Sequence, residues 1–112
     1  MKGILLLLAI LLLLPNMVNA TEYSFYFSDD ATGNPVGDDS RDCTNPQNPC
    51  RSLSRAQQLV NNANSDDTVN LYFDRGDTWT ISTGQNVVFT VWNTDPIVNI
   101  DAYGGGDRPI FD

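Results

Sequence analysis

From Thr68 onward the chain runs through five short stretches of β-branched and aromatic residues: Thr68–Phe73, Thr78–Ser82, Val87–Trp92, Ile97–Ala102 and Ile110–Phe111. Gly, Pro, Asn or Asp bounds each of them, as turn formers bound strands. No segment between them reads as a helix, so a βαβ arrangement is excluded and a sandwich, a barrel or a β-solenoid remains. A further strand is predicted over Glu22–Ser28, where Tyr23, Phe25 and Phe27 share one face. The fold class is therefore all-β.

One helix interrupts this pattern. Ser52 is a suitable N-cap, and Leu53, Ala56, Val60 and Ala63 follow at i, i+3, i+7 and i+10, a single apolar stripe. The stripe predicts a helix of about three turns that stops in Asn61-Asn62-Ala63-Asn64, with Arg55, Gln57 and Gln58 on its solvated side. Between the first strand and this helix, Asp29–Pro49 reads as a long loop. It carries five carboxylates, Asp29, Asp30, Asp38, Asp39 and Asp42. Their spacing does not follow the alternating Asp/Asn pattern with a closing Glu that calcium loops use, so the reading is a solvated acidic turn, with calcium left open.

Met1–Ala20 has the anatomy of a secretory signal peptide: a positive charge at Lys2, an apolar run from Ile4 to Leu14, Pro15, then Val18-Asn19-Ala20. Small residues at the minus three and minus one positions place the cut before Thr21. The apolar run spans 11 residues, well short of the ~20 that a membrane-crossing helix needs. Export also explains the two cysteines. Cys43 and Cys50 flank six residues in an oxidising compartment, which points to a local disulfide. Closing so short a loop contributes about 2.5 kcal/mol on the chain-entropy argument.

Past residue 20 the chain holds five Arg, no Lys and no His against 14 acids, a formal charge of −9. That balance repels a polyanion and argues against nucleic-acid binding. Without His there is no Ser-His-Asp or Cys-His centre and no imidazole zinc site, and without Lys no Schiff base. Any metal here would be hard and oxygen-bound, with Ca²⁺ first. Arg75-Gly76-Asp77 spells a tripeptide that integrins read, but its aromatic neighbours Phe73 and Trp79 mark it as a tight turn between strands. Gly104-Gly105-Gly106 has no following Lys-Ser/Thr and reads as a turn, not a phosphate cradle. Trp79, Trp92 and Tyr103 are candidates for stacking on sugar rings or for the core. Paired carboxylates could be drawn from the acids in many ways, and none is marked out.

The order of elements resembles a known family. An aromatic strand Tyr23-Ser24-Phe25-Tyr26-Phe27-Ser28 leads through an Asp/Gly/Asn loop into Asn48-Pro49-Cys50-Arg51-Ser52-Leu53-Ser54-Arg55-Ala56, then Asp67-Thr68-Val69. Asp74-Arg75-Gly76-Asp77-Thr78-Trp79 and Asn99-Ile100-Asp101-Ala102-Tyr103-Gly104 through Gly106-Asp107-Arg108-Pro109 to Ile110-Phe111-Asp112 follow. This is similar to the N-terminal region of secreted right-handed parallel β-helix proteins, the pectate-lyase-like superfamily. The resemblance implies a signal peptide at 1–20, a cap of strand, acidic disulfide loop and capping helix at 21–67, and the first coils of the solenoid at 68–112. Asp66-Asp67 stands where a Pro-Gly-Asp turn is usual, and the Cys43 and Cys50 pair occurs in some members only.

Solenoid coils bury their faces against one another, and about three or more repeats are needed for stability. Here there is room for one coil and the start of a second, so the chain is expected to be a truncated N-terminal piece with an aggregation-prone open end. The resemblance implies an intact protein that binds polysaccharide or acts on it as a lyase or hydrolase, with Ca²⁺ as the ion of its lyase members. The family's calcium-binding Asp cluster and its Arg or Lys base lie on central coils and match no residue here, so no catalytic, cofactor-binding or metal residue is assigned. The alternative is a non-enzymatic surface or adhesive solenoid, toward which the charge of −9 leans.

Overall fold

The computed structural model describes residues 19–29, 35–80 and 96–112. Five strands and one helix occur among them: β1 Glu22–Phe27, α1 Leu53–Asn62, β2 Thr68–Asp74, β3 Thr78–Trp79, β4 Ile97–Tyr103 and β5 Ile110–Phe111. The all-β expectation holds, with the single helix where its periodicity placed it. The strand expected over Val87–Trp92 lies outside the described residues, as do Asp30 and Trp92. β3 ends at Trp79, and Ile81 and Ser82 of the expected run lie outside the described residues, while β2 and β4 each run one residue further than expected.

All strand pairing in the two sheets is parallel. The larger sheet has the order β1-β2-β4 and the smaller pairs β3 with β5. Phe25 lies level with Leu71 and Leu71 with Ile100, while Trp79 lies level with Phe111. A β2–turn–β3 unit is thus followed by a β4–turn–β5 unit lying against it, strand on strand. The turns stack as well: Arg75 N–H donates to Tyr103 O at 2.9 Å and Gly76 N–H to Asp107 O at 2.8 Å.

Side-chain parity follows from the extended backbone, in which alternate residues face opposite sides. Phe25 and Phe27 of β1 and Val69, Leu71 and Phe73 of β2 face inward and are buried with Ala56 and Val60 of α1. Each large apolar side chain fully removed from water contributes about 1.5–3 kcal/mol. Ring contacts tie this core to the smaller sheet: Phe73 meets Trp79 edge-on at 5.1 Å, and Trp79 stacks on Phe111 at 5.5 Å.

Helix α1 starts as the sequence predicts. The Ser52 hydroxyl accepts from Arg55 N–H at 3.1 Å, and the Ala63 N–H donates to Val60 O at the other end. Its apolar stripe places Ala56 and Val60 in the core. Before it, Cys43 and Cys50 form the predicted disulfide, and both are fully buried. The loop they close is bonded to the outer edge of β1. Tyr26 N–H donates to Cys43 O at 2.7 Å, Ser28 N–H to Cys50 O at 2.8 Å, and Cys50 N–H to Tyr26 O at 2.9 Å. Gly37 sits so close beneath this junction that a Cβ would collide with the Ser28 carbonyl oxygen.

The opposite end of the stack differs. Val98 and Ile100 of β4 lie level with the buried Val69 and Leu71, yet Ile100 is 54% exposed, and Ile97, Ile110 and Phe111 are exposed with it. Among the described residues no helix is long and apolar enough to cross a membrane.

Candidate functional site

Where β1 and β2 end side by side, three carboxylates converge around one serine. Asp77, only 3% exposed, accepts on Oδ2 from the Ser28 hydroxyl at 2.8 Å and from Asp29 N–H at 2.9 Å. Asp29, also buried, accepts in return on Oδ2 from Thr78 N–H at 3.0 Å. The Ser28 hydroxyl lies 3.5 Å from Asp74 Oδ2. Residues that are nearly fifty positions apart in sequence are thereby brought together by the level pairing of β1 and β2. Burial is the first cause that pushes the Asp74 carboxyl above its ordinary range, and the neighbouring charge of Asp77 is the second; Asp29 adds to it, against the Ser28 and Arg75 hydrogen bonds.

Beside this cluster a cleft of about 420 Å³ opens between the turn after β2 and the turn after β4, with Asp74, Arg75, Tyr103 and Gly104 in its wall and Pro46 across from them. Gly104 has φ +77, a backbone conformation that favours glycine, and a Cβ there would come within 2.7 Å of Asp74 Oδ1 and displace that carboxylate. Tyr103 continues an outward row of rings. Tyr26 stacks on Tyr72 at 5.2 Å and meets Tyr103 edge-on at 5.2 Å. The Tyr103 hydroxyl is buried with no hydrogen-bond partner among the described residues. Burial, then Asp74, Asp77 and Tyr26, raise its pKa above the ordinary 10.

The sequence candidates take different places in the fold. Trp79 is a core residue, 6% exposed, whose Nε1 donates to Arg51 O at 2.7 Å, so it offers no face to a sugar. Tyr103 does reach the cleft. In Arg75-Gly76-Asp77 the aspartate is turned inward and committed to Ser28 and Asp29, which is not how an adhesive loop displays it. The described acids of the loop serve the backbone. Asp38 accepts from Ser40 N–H at 2.9 Å, Asp42 from Thr44 N–H at 3.1 Å, and one Asp39 oxygen from both Arg51 and Ser52 N–H at 2.8 Å. Hydrogen bonds from Ser40 and Thr44 hold Asp38 and Asp42 below the usual carboxylate range. At Asp39 burial pushes upward, but the bonds from Ser52 and Arg51 outweigh it and the net shift is downward.

Among the described residues no three acids or cysteines are grouped so as to hold a metal ion. The described carboxylates do not make the oxygen cage that Ca²⁺ requires. The cluster supplies a carboxyl that takes up a proton more readily than an ordinary aspartate, next to an aromatic wall. Its one hydroxyl, that of Ser28, is fully buried and already donates to Asp77. Sequence reasoning missed Ser28 and Asp77 as partners, because only the pairing of β1 with β2 makes them neighbours. Comparison with known proteins gave no match: no family model, no curated protein and no solved structure matches the chain.

Proposed function

We propose that residues 21–112 are the N-terminal cap and opening coils of a secreted right-handed parallel β-helix protein, and that the intact protein binds polysaccharide or acts on it. One observation carries the reading. The β2–turn–β3 and β4–turn–β5 units lie against each other in parallel, level by level, with Asn99 Nδ2 donating to Asn70 Oδ1 at 2.9 Å across a separation of 29 residues. A crossover that returns a strand parallel to its predecessor is right-handed in nearly all proteins, which agrees with the family's hand. Ile100 and Phe111, level with the buried Leu71 and Trp79, are exposed at the end of the stack where a following coil would cover them.

For polysaccharide, the support is the tyrosine row and the cleft at Tyr103, since ring faces give sugars an apolar platform. The second reading, a non-enzymatic surface solenoid, draws its support from the charge of −9, which disfavours an acidic polymer unless a cation bridges the two. Affinity electrophoresis of the secreted protein through gels holding a neutral glucan, pectin or alginate, with and without Ca²⁺, separates the two. Retention that Tyr103→Ala abolishes is expected for the polysaccharide reading. Unretarded migration in every gel would leave the structural solenoid.

A further inference from the structure

Asp67 is 2% exposed and stands where three elements meet. Its Oδ2 accepts from Asn64 N–H at 2.8 Å, closing the turn after α1, and its Oδ1 accepts from the backbone nitrogen of Thr21 at 2.9 Å, just before β1. The main chain around it is bonded too: Thr68 N–H donates to Thr21 O at 2.9 Å and Ile97 N–H to Asp67 O at 3.0 Å. Among the described residues no Arg is bonded to this carboxylate. A buried carboxylate held only by neutral donors is an expensive feature of a fold. Thr21 is also the residue at which the small-residue rule places the end of the leader.

We infer that cleavage before Thr21 turns its nitrogen into an α-ammonium that pairs with Asp67, so that removal of the leader completes this junction. The inference rests on the reading of residues 1–20 as a signal peptide. Water adds across the Ala20–Thr21 bond; Ala20 leaves with a carboxylate, and the freed Thr21 amine takes up a proton. The nitrogen already lies at hydrogen-bonding distance, so the new charge meets its partner without rearrangement. Asn19 and Ala20 are exposed, and their departure removes no packed side chain.

The charged groups on the strands and turn meeting here are acids, and the one base of α1, Arg55, sits in its first turn, bonded to Gln58 and the Arg41 carbonyl. Glu22 of β1 accepts from Asn70 Nδ2 at 2.9 Å, Asp66 is exposed in the turn, the last turn of α1 carries no basic residue, and the charge on β4 is Asp101. The Thr21 ammonium is therefore favoured, and its pKa is raised above the ordinary value of about 8. A raised ammonium pKa contributes stability that is full below the unfolded value and is lost as pH rises through the folded one.

The composition makes this measurable. Lys2 is the only lysine, and it lies in the leader, so the cleaved chain has one primary amine. The full chain is exported, the N-terminus of the secreted product is read by mass spectrometry, and its acylation by an amine-reactive ester is followed against pH, native and in guanidinium chloride. The expected N-terminus is Thr21, with a native midpoint about one pH unit above the unfolded one, roughly tenfold in the fraction of free amine near pH 8. Asp67→Asn is expected to remove the difference. An N-terminus elsewhere would overturn the leader reading and the inference with it. Thr21 at the N-terminus with equal midpoints in both states would overturn the Asp67 pairing alone. If Asp67→Asn is not secreted, the native and unfolded midpoints of the wild-type chain decide by themselves.

Discussion

Leu71 and Ile100 occupy the same level of adjacent parallel strands, yet Leu71 is fully buried and Ile100 is 54% exposed. Truncating each to alanine therefore measures whether a layer lies beyond β4. Leu71→Ala removes a packed side chain between β1 and β4 and is expected to cost about 3 kcal/mol, within the ~2–5 seen for such core truncations. Ile100→Ala loses only the half of its area that is sheltered and leaves no enclosed cavity, so about 1 kcal/mol is expected. Guanidinium unfolding followed by the fluorescence of Trp79, held between Phe73 and Phe111, reads both. In a chain ending at Asp112 the two variants should differ about threefold. In a chain carrying a following coil they should become alike, because Ile100 would then sit as Leu71 does. Equal losses in the chain ending at Asp112 would refute the reasoning, since some other element would already cover β4.

Replacing Cys43 and Cys50 by alanine is expected to cost about 2.5 kcal/mol in the same unfolding assay, and to speed hydrogen exchange at Tyr26 and Ser28, whose amides the loop holds. Unchanged exchange would separate the disulfide from the edge it is said to cover. Asp77→Ala leaves the Ser28 hydroxyl and the Asp29 N–H without their acceptor and should lose about 3 kcal/mol, whereas Asp77→Asn keeps an acceptor and should lose less. Equal losses would count against that role. Asp74 carries a raised pKa, so its ionisation opposes folding. Stability is expected to fall as pH rises from the ordinary carboxylate value of 3.8 through the raised one, then to level off. Asp74→Asn should remove that fall and be more stable than wild type at neutral pH; an unchanged pH profile would contradict it.

The helix was legible because its determinants are local: the Ser52 cap and the apolar stripe lie within one short segment. The strand runs were legible for the same reason, through their composition and the turn formers around them. Parallel pairing was not. Parallel and antiparallel partners make the same demand on each strand, so the composition of the runs left a sandwich, a barrel and a solenoid equally open. The acids show the same divide. Asp38 with Ser40 and Asp42 with Thr44 form bonds two residues long, a turn signature that residue order could have revealed. Asp77 with Ser28 and Asp67 with Thr21 span 49 and 46 residues. No local pattern announces such a bond; it exists because the first strand lies level with the second.

The two ends of the stack are treated differently, and the difference has a direction. On β1 the outer edge is occupied: the disulfide loop takes and gives hydrogen bonds at Tyr26 and Ser28. On β4 the described residues leave a seven-residue edge with no proline and no lysine, and one charge, Asp101. Natural sheets blunt exposed edges with lysine, proline, bulges or a covering segment, because a bare edge recruits other chains. The loop supplies that protection at β1. At β4 the described residues supply none of it, and Ile100, level with the buried Leu71, adds an exposed apolar side chain. A lone copy should therefore self-associate through β4, with light scattering that rises with concentration and falls in Ile100→Lys. A monodisperse wild-type monomer at high concentration would show instead that this edge is already satisfied.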